Sequence, residues 1–195
     1  MPCSDVTGSG STDARGLTEA LTDSTRAQSP AEFLERNGVG LRSPGLYSWW
    51  VDEQGAVELT LGLGFEVSDG LLYAGLAGAT RSRNGLKSKN TLWGRIRGMH
   101  LGGRHEFSTF RLSLGSILAS TRGQLAIDED KLTAWMHQHL RVVAIPFKDG
   151  DTLGELESDV LRALDPPMNL DKVTKNPLRA RLSELRRQHG RTRRS

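Results

Sequence analysis

Leu46-Tyr47-Ser48-Trp49-Trp50-Val51 and Leu71-Leu72-Tyr73-Ala74-Gly75-Leu76-Ala77 are the stretches on which the fold turns. The first is dense in aromatic and β-branched residues, as a half-buried strand is, and Pro44-Gly45 punctuates its start. The second is short and wholly apolar, which predicts a buried central strand. Alternation puts Tyr47, Trp49 and Val51 on one face of the first strand, and Leu71, Tyr73 and Gly75 on one face of the second. If the strands pair antiparallel, both tyrosines point the same way and their hydroxyls need partners. Either tyrosine alone also fits an ordinary sheet position.

Working outward, Asp52-Glu53-Gln54-Gly55 is turn chemistry, and the run AVELTLGLGF (56–65) predicts a second strand or an extended hairpin insert. A third strand is expected in RVVAIPF (141–147), ended by Lys148-Asp149-Gly150. Helices are predicted from their caps and apolar spacing. Thr91 precedes Leu92, Trp93, Ile96 and Met99; Ser108-Thr109 precedes Phe110, Leu112, Leu114, Ile117 and Leu118. Asp128 opens a segment with Leu132, Trp135, Met136 and Leu140, and Thr152 caps another that stops at Asp165-Pro166-Pro167. Pro177 begins a last, arginine-rich helix with Leu178, Leu182 and Leu185 on one edge and Arg179, Arg181, Arg186 and Arg187 expected on its exposed flanks. Short strands interspersed with helices make a small α+β domain.

The ends read differently. Residues 1–29 are rich in Ser, Thr, Gly and Asp, with too few large apolar side chains to offset ordering entropy, so a disordered tail is expected there. Order is expected from Ser29-Pro30, with a folded domain over 30–176 and a basic C-terminal helix and tail over 177–195 that frays in RRQHGRTRRS. A length of 195 residues suits one domain plus tails. The single cysteine, Cys3, excludes an intramolecular disulfide and any multi-cysteine zinc site. No apolar run approaches the ~18 residues of a membrane span, and no signal-peptide core is visible, so a cytoplasmic protein is expected.

Net charge is only +3, but residues 81–111 hold eight Lys and Arg against one Glu, and residues 178–195 hold seven against one. Such blocks suit a polyanion-binding surface, or equally a solvated loop and a ragged tail. Arg81, Arg83, Lys87, Lys89, Arg97 and Arg104 are the candidate residues for contacting such a polyanion.

A polar side chain on an apolar helical stripe is more informative, because desolvating it must be compensated. At ~100° per residue, Glu157 falls among Leu153, Leu156, Val160, Leu161 and Leu164, whereas Glu155 and Asp159 fall on the wet face. Glu157 therefore points at the core or a cleft; a Glu buried against an arginine or a backbone cap is the other reading. On the Thr91 helix, Arg95 borders the stripe of Leu92, Ile96 and Met99, and Arg97 faces solvent. A snorkelling surface arginine is the alternative for Arg95. His137 and His139, two apart on a helix, make a poor metal pair. His105 sits in a basic loop within reach of a phosphate, and plain solvent exposure is the simpler expectation for all three.

Gly45-Leu46-Tyr47 followed by Tyr73-Ala74-Gly75, each at a strand, resembles the paired signature of the GIY-YIG nuclease family. Arg95 in an L-x-x-R-I-R segment, Glu157 in LESDVL and the P-x-x-N ending Pro166-Pro167-Met168-Asn169 follow in the family's order, so the resemblance spans roughly residues 41–170. It implies a three-stranded antiparallel sheet flanked by helices and a metal-dependent phosphodiesterase acting on DNA. By that likeness Glu157 ligates one Mg²⁺ or Mn²⁺, Tyr47 or Tyr73 is the general base, Arg95 stabilises charge on the scissile phosphate and Asn169 orients the site. No other small-molecule cofactor is implied. The family often places His or Tyr four residues after the arginine, where Met99 stands here; a one-residue shift gives His100 that role. A catalytically inactive nucleic-acid-binding module, with Met99 marking a decayed site, is the alternative.

Overall fold

The computed structural model describes residues 14–78, 90–148 and 150–190. Its elements run α1 (Ala14–Thr22), α2 (Pro30–Glu35), β1 (Gly45–Val51), α3 (Glu53–Leu63), β2 (Gly70–Ala77), a π-helix (Gly94–His100), α4 (Thr109–Thr121), α5 (Glu129–His139), β3 (Leu140–Pro146), α6 (Gly150–Leu164) and α7 (Pro177–His189). The fold is α+β, with a three-stranded antiparallel sheet of order β2-β1-β3 flanked by helices.

Register follows the pleat. Tyr47 lies opposite Gly75 and Trp49 opposite Tyr73, so both tyrosines and Trp49 share a face. Phe110 at the start of α4 stacks on Trp49 and Tyr73, with ring centroids 5.4 and 4.7 Å away. That face carries the larger core, built with Leu59 and Leu63 of α3, Leu114 and Ile117 of α4 and Leu182 and Leu185 of α7. The opposite face is covered by α1 and α6, whose Leu17, Leu21, Leu153 and Val160 pack on Leu46 and Leu76.

Both outer strands are covered, as sheet edges must be to avoid pairing with other chains. Gln28 exchanges backbone hydrogen bonds of 3.0 and 2.8 Å with Val142 of β3. On β2, Met168 N–H donates to Leu72 O, while the Asn169 amide accepts from Ala74 N–H and donates to Ala74 O, at 3.0 and 2.8 Å.

Three expectations are corrected. The segment expected to be a hairpin insert is α3: Asp52 caps it by accepting from Gly55 N–H at 2.8 Å, and Gly64, at φ +73°, ends it in the left-handed conformation. Residues 14–29 are not a disordered tail. Leu17 and Leu21, four apart, are enough to dock α1, and Ser48 Oγ of β1 donates to Leu21 O at 2.8 Å. Residues 1–13 lie outside the described residues. At the other end, α7 continues to His189 rather than fraying from Arg186. A smaller difference is that α6 starts at Gly150, so Thr152 lies within it.

The docking of α1 has a measurable weight. Leu21→Ala should lower unfolding free energy by about 2–4 kcal/mol in urea titrations, as for other fully buried leucines. A change under ~0.5 kcal/mol would mean that α1 is not part of the cooperative fold. Among the described residues, no helix is long and apolar enough to cross a membrane.

Candidate active site

A cleft of about 350 Å³ opens beside β2, lined by Tyr47, Tyr73, Arg95, Glu157, Asn169, Lys172 and Arg186 among others. The strand glycines shape it. A Cβ on Gly75 would stand 2.5 Å from the Tyr47 hydroxyl, because the phenol ring lies directly across that residue. A Cβ on Gly45 would strike Ile145 O and stand 2.6 Å from Leu92 Cδ1, where the segment before the π-helix crosses the sheet. Neither position has room for a side chain.

The π-helix sets the next two groups. It starts with α-type geometry, Arg95 N–H donating to Thr91 O and Thr91 Oγ1 capping Gly94 N–H, and then widens so that Leu101 N–H reaches back five residues to Ile96 O. In an i→i+5 helix a step of five residues returns to the same side, where four would do so in an α-helix. Arg95 and His100 are five apart. His100 is thereby buried against the sheet, while Met99, at the four-residue interval, meets the guanidinium of Arg95 through its sulfur at 3.0 Å.

His100 links Tyr47 to α4. Its Nε2 is 2.8 Å from Tyr47 Oη, and its Nδ1 is 2.7 Å from Ser108 Oγ. Ser108 Oγ already accepts the Arg111 N–H at 3.0 Å. The neutral ring thus bridges the two hydroxyls, one nitrogen donating and the other accepting. Burial holds the ring neutral, with Arg95 and Arg111 opposing further charge, and its pKa falls to about 3. Burial pushes the Tyr47 hydroxyl well above the usual tyrosine range; Tyr73 adds to this and Arg95 opposes it.

The His100 shift has a sign that can be measured. In the unfolded chain the ring titrates near 6.5, so between pH 6.5 and about 3 the unfolded state binds one more proton than the folded one. This group makes stability fall as pH drops through that window, by ~1.4 kcal/mol per pH unit at most. The charged or titratable groups facing the ring are Tyr47, Tyr73, Arg95 and Arg111. In urea titrations at pH 7 and pH 4.5, His100→Gln should lose less stability on acidification than wild type. Parallel curves would show that the ring is charged in the fold.

Arg95 is half-buried, and its Nε is buried with no partner among the described residues. A guanidinium donor in that state calls for an anionic acceptor. Glu157 projects from α6 with 17% of its side chain exposed, and its carboxylate holds the ammonium of Lys172. Lys172 adopts φ +61°, a left-handed conformation that is strained for a lysine. Asn169 is held by Ala74 on both sides of its amide, so it fixes the turn against β2. That turn is fixed again by Arg179, whose guanidinium reaches Asn169 O, Thr174 O, Asp165 and Pro166 O at 2.6–3.2 Å.

The chain from residue 45 to residue 188 matches the description of the GIY-YIG catalytic domain. The chain belongs to the GIY-YIG family. No curated protein and no solved structure gives a significant match. In this GIY-YIG domain Tyr47 of the first triplet, the whole of the second triplet, Arg95, Glu157 and Asn169 come together around one cleft, and His100 stands directly behind Tyr47.

Other candidates lie elsewhere. Arg97 is exposed beside Trp93, its guanidinium 6.0 Å from the ring, and Arg104 lies over Phe107 with an ion pair to Glu106. Arg81, Arg83, Lys87 and Lys89 fall outside the described residues. Arg111, within the basic block, is fully buried on Glu129 and is no surface cation. His105 and His139 are buried too, on Glu129 and Asp52 respectively, and only His137 is exposed. His105, Glu106 and Glu129 stand close enough to hold an ion, yet none lines the cleft, and Glu129 is already engaged by Arg111.

The reading of α7 also changes. Arg179 is buried and Arg186 is half-buried in the cleft, against the expectation that both lie on exposed flanks. The signal was present: Arg186 stands four after Leu182, on the leucine stripe itself. Lys172 carries no such mark in the sequence.

Proposed function

We propose that this GIY-YIG domain is a metal-dependent endonuclease that hydrolyses DNA phosphodiester bonds in the cleft beside β2. The observation that carries the reading is the convergence there of Glu157, a partnerless Arg95 Nε and a tyrosine held by a neutral histidine. Family membership supports nuclease chemistry in general.

Glu157 suits a hard divalent ion such as Mg²⁺ or Mn²⁺. It offers carboxylate oxygens at the cleft, and a cationic group already sits on it in the Lys172 ammonium. Such an ion would supply Lewis acidity at the leaving oxygen and favour ionisation of a neighbouring phenol or water. Tyr47 is the better placed general base of the two tyrosines. With its ring proton on Nε2, 2.8 Å from the tyrosine oxygen, His100 donates to a Tyr47 phenolate, and Arg95 lies close; both offset the cost of burying the anion. Tyr73, whose ring centroid is 6.4 Å from that of Tyr47, flanks the site. Arg95 binds the scissile phosphate and meets the charge that grows on it. Asn169 keeps the wall in place without touching substrate. Arg97 and Arg104, with the basic residues 81–89, supply phosphate contacts that position the duplex without reading sequence.

Plasmid nicking with and without Mg²⁺ or Mn²⁺, run on wild type beside Glu157→Gln, tests this. Metal-dependent nicking lost in the variant is the expected result. Salt-sensitive DNA binding with no nicking by either protein would instead identify an inactive binding module.

A further inference from the structure

Arg186 is a cleft group that lies outside the Gly45-Leu46-Tyr47, Tyr73-Ala74-Gly75, Arg95, Glu157 and P-x-x-N motifs. It reaches the cleft from α7, whose Leu182 and Leu185 are fully buried in the main core, so its position is set by a rigid helix. Its guanidinium makes no hydrogen bond or ion pair with any described residue, although the side chain is only partly exposed. Burial lowers its pKa, and Tyr73 and Asp171 are the neighbours that favour its charge. An arginine partly removed from water, near a carboxylate but hydrogen-bonded to none, is better compensated when an anion arrives. Its planar fork matches two oxygens of one phosphate.

Two guanidiniums therefore line the same cleft from separate elements, Arg95 with a buried Nε that has no partner among the described residues and Arg186 with donors that no described residue accepts. Arg95 stands beside Tyr47, and Arg186 stands beside Tyr73 and Asp171. We propose that Arg186 is a second phosphate-binding residue of the active site, holding a backbone phosphate of the bound strand next to the one that Arg95 contacts. This inference rests on the nuclease reading. It turns α7 from a peripheral grip into one wall of the substrate channel, and it makes the domain dependent on a helix that follows the P-x-x-N turn.

The test is duplex binding by fluorescence anisotropy in EDTA, over a series of salt concentrations, with the full chain. Wild type is compared with Arg186→Gln, Arg186→Lys and Arg162→Gln, the last an exposed arginine of α6 paired with Asp159. Arg186→Gln should bind about tenfold more weakly, the size of one lost charged hydrogen-bonding contact. Its slope of log K against log salt should also be shallower by ~0.9. Arg186→Lys should keep the wild-type slope, and Arg162→Gln should match wild type in both. A purely structural role for Arg186 would lower melting temperature and leave the slope alone. Wild-type slope and affinity in Arg186→Gln would overturn the inference while leaving the nuclease reading intact. Absence of salt-dependent binding in wild type itself would overturn both.

Discussion

Glu157→Gln should leave the chain folded and its DNA affinity within a few-fold of wild type, while lowering metal-dependent cleavage by ~10³ or more. The amide has the size and shape of the carboxylate, so α6 keeps its packing through Leu153 and Val160. What changes is the ligand, since a neutral oxygen is a poor donor to a hard divalent cation. The variant also loses the ion pair to Lys172. That loss is mild, because the lysine side chain is 41% exposed and water replaces its partner. A melting temperature near that of wild type beside an inactive plasmid assay is the pattern to look for. Cleavage at the wild-type rate with Mg²⁺ would remove Glu157 from any role in holding metal.

The second large effect separates two arginines that are two residues apart. Arg95→Ala should cost ~10²–10³ in kcat/KM, the usual penalty for removing one preorganised donor to developing charge. Arg97→Ala should cost only a few-fold, because that side chain is exposed over Trp93 and contributes a general phosphate contact. The contrast arises from placement, since both carry the same group on the same helix. Equal, small losses would mean that both arginines serve only as a basic surface.

Much of this arrangement was legible beforehand, for identifiable reasons. Aromatic and β-branched content marked β1, and the position of Glu157 on an apolar stripe marked a carboxylate that had to face something other than water. The misreading of α3 has an equally definite cause. Val57, Leu59, Leu61, Leu63 and Phe65 alternate perfectly, as in a strand, yet Leu59 and Leu63 are buried whereas Leu61 is 70% exposed. Three of those five residues, Val57, Leu61 and Phe65, are solvent-facing apolar surface with no structural meaning, and the Asp52 cap outweighed the pattern. In the N-terminal segment a pair of leucines at helical spacing, Leu17 and Leu21, outweighs an average composition poor in apolar residues. Lys172 could not have been found, because its place depends on a left-handed backbone. Arg186 could have been, by the same stripe test that picked out Glu157.

The π-helix makes the identity of the group behind Tyr47 a matter of residues per turn. Its widened turn carries His100, five residues after Arg95, to the side that meets the sheet, where the ring reaches the Tyr47 hydroxyl. In an ordinary α-helix, position 100 would lie well round the axis from position 95. The pitch of one turn, as much as the residue type within it, decides what touches the tyrosine.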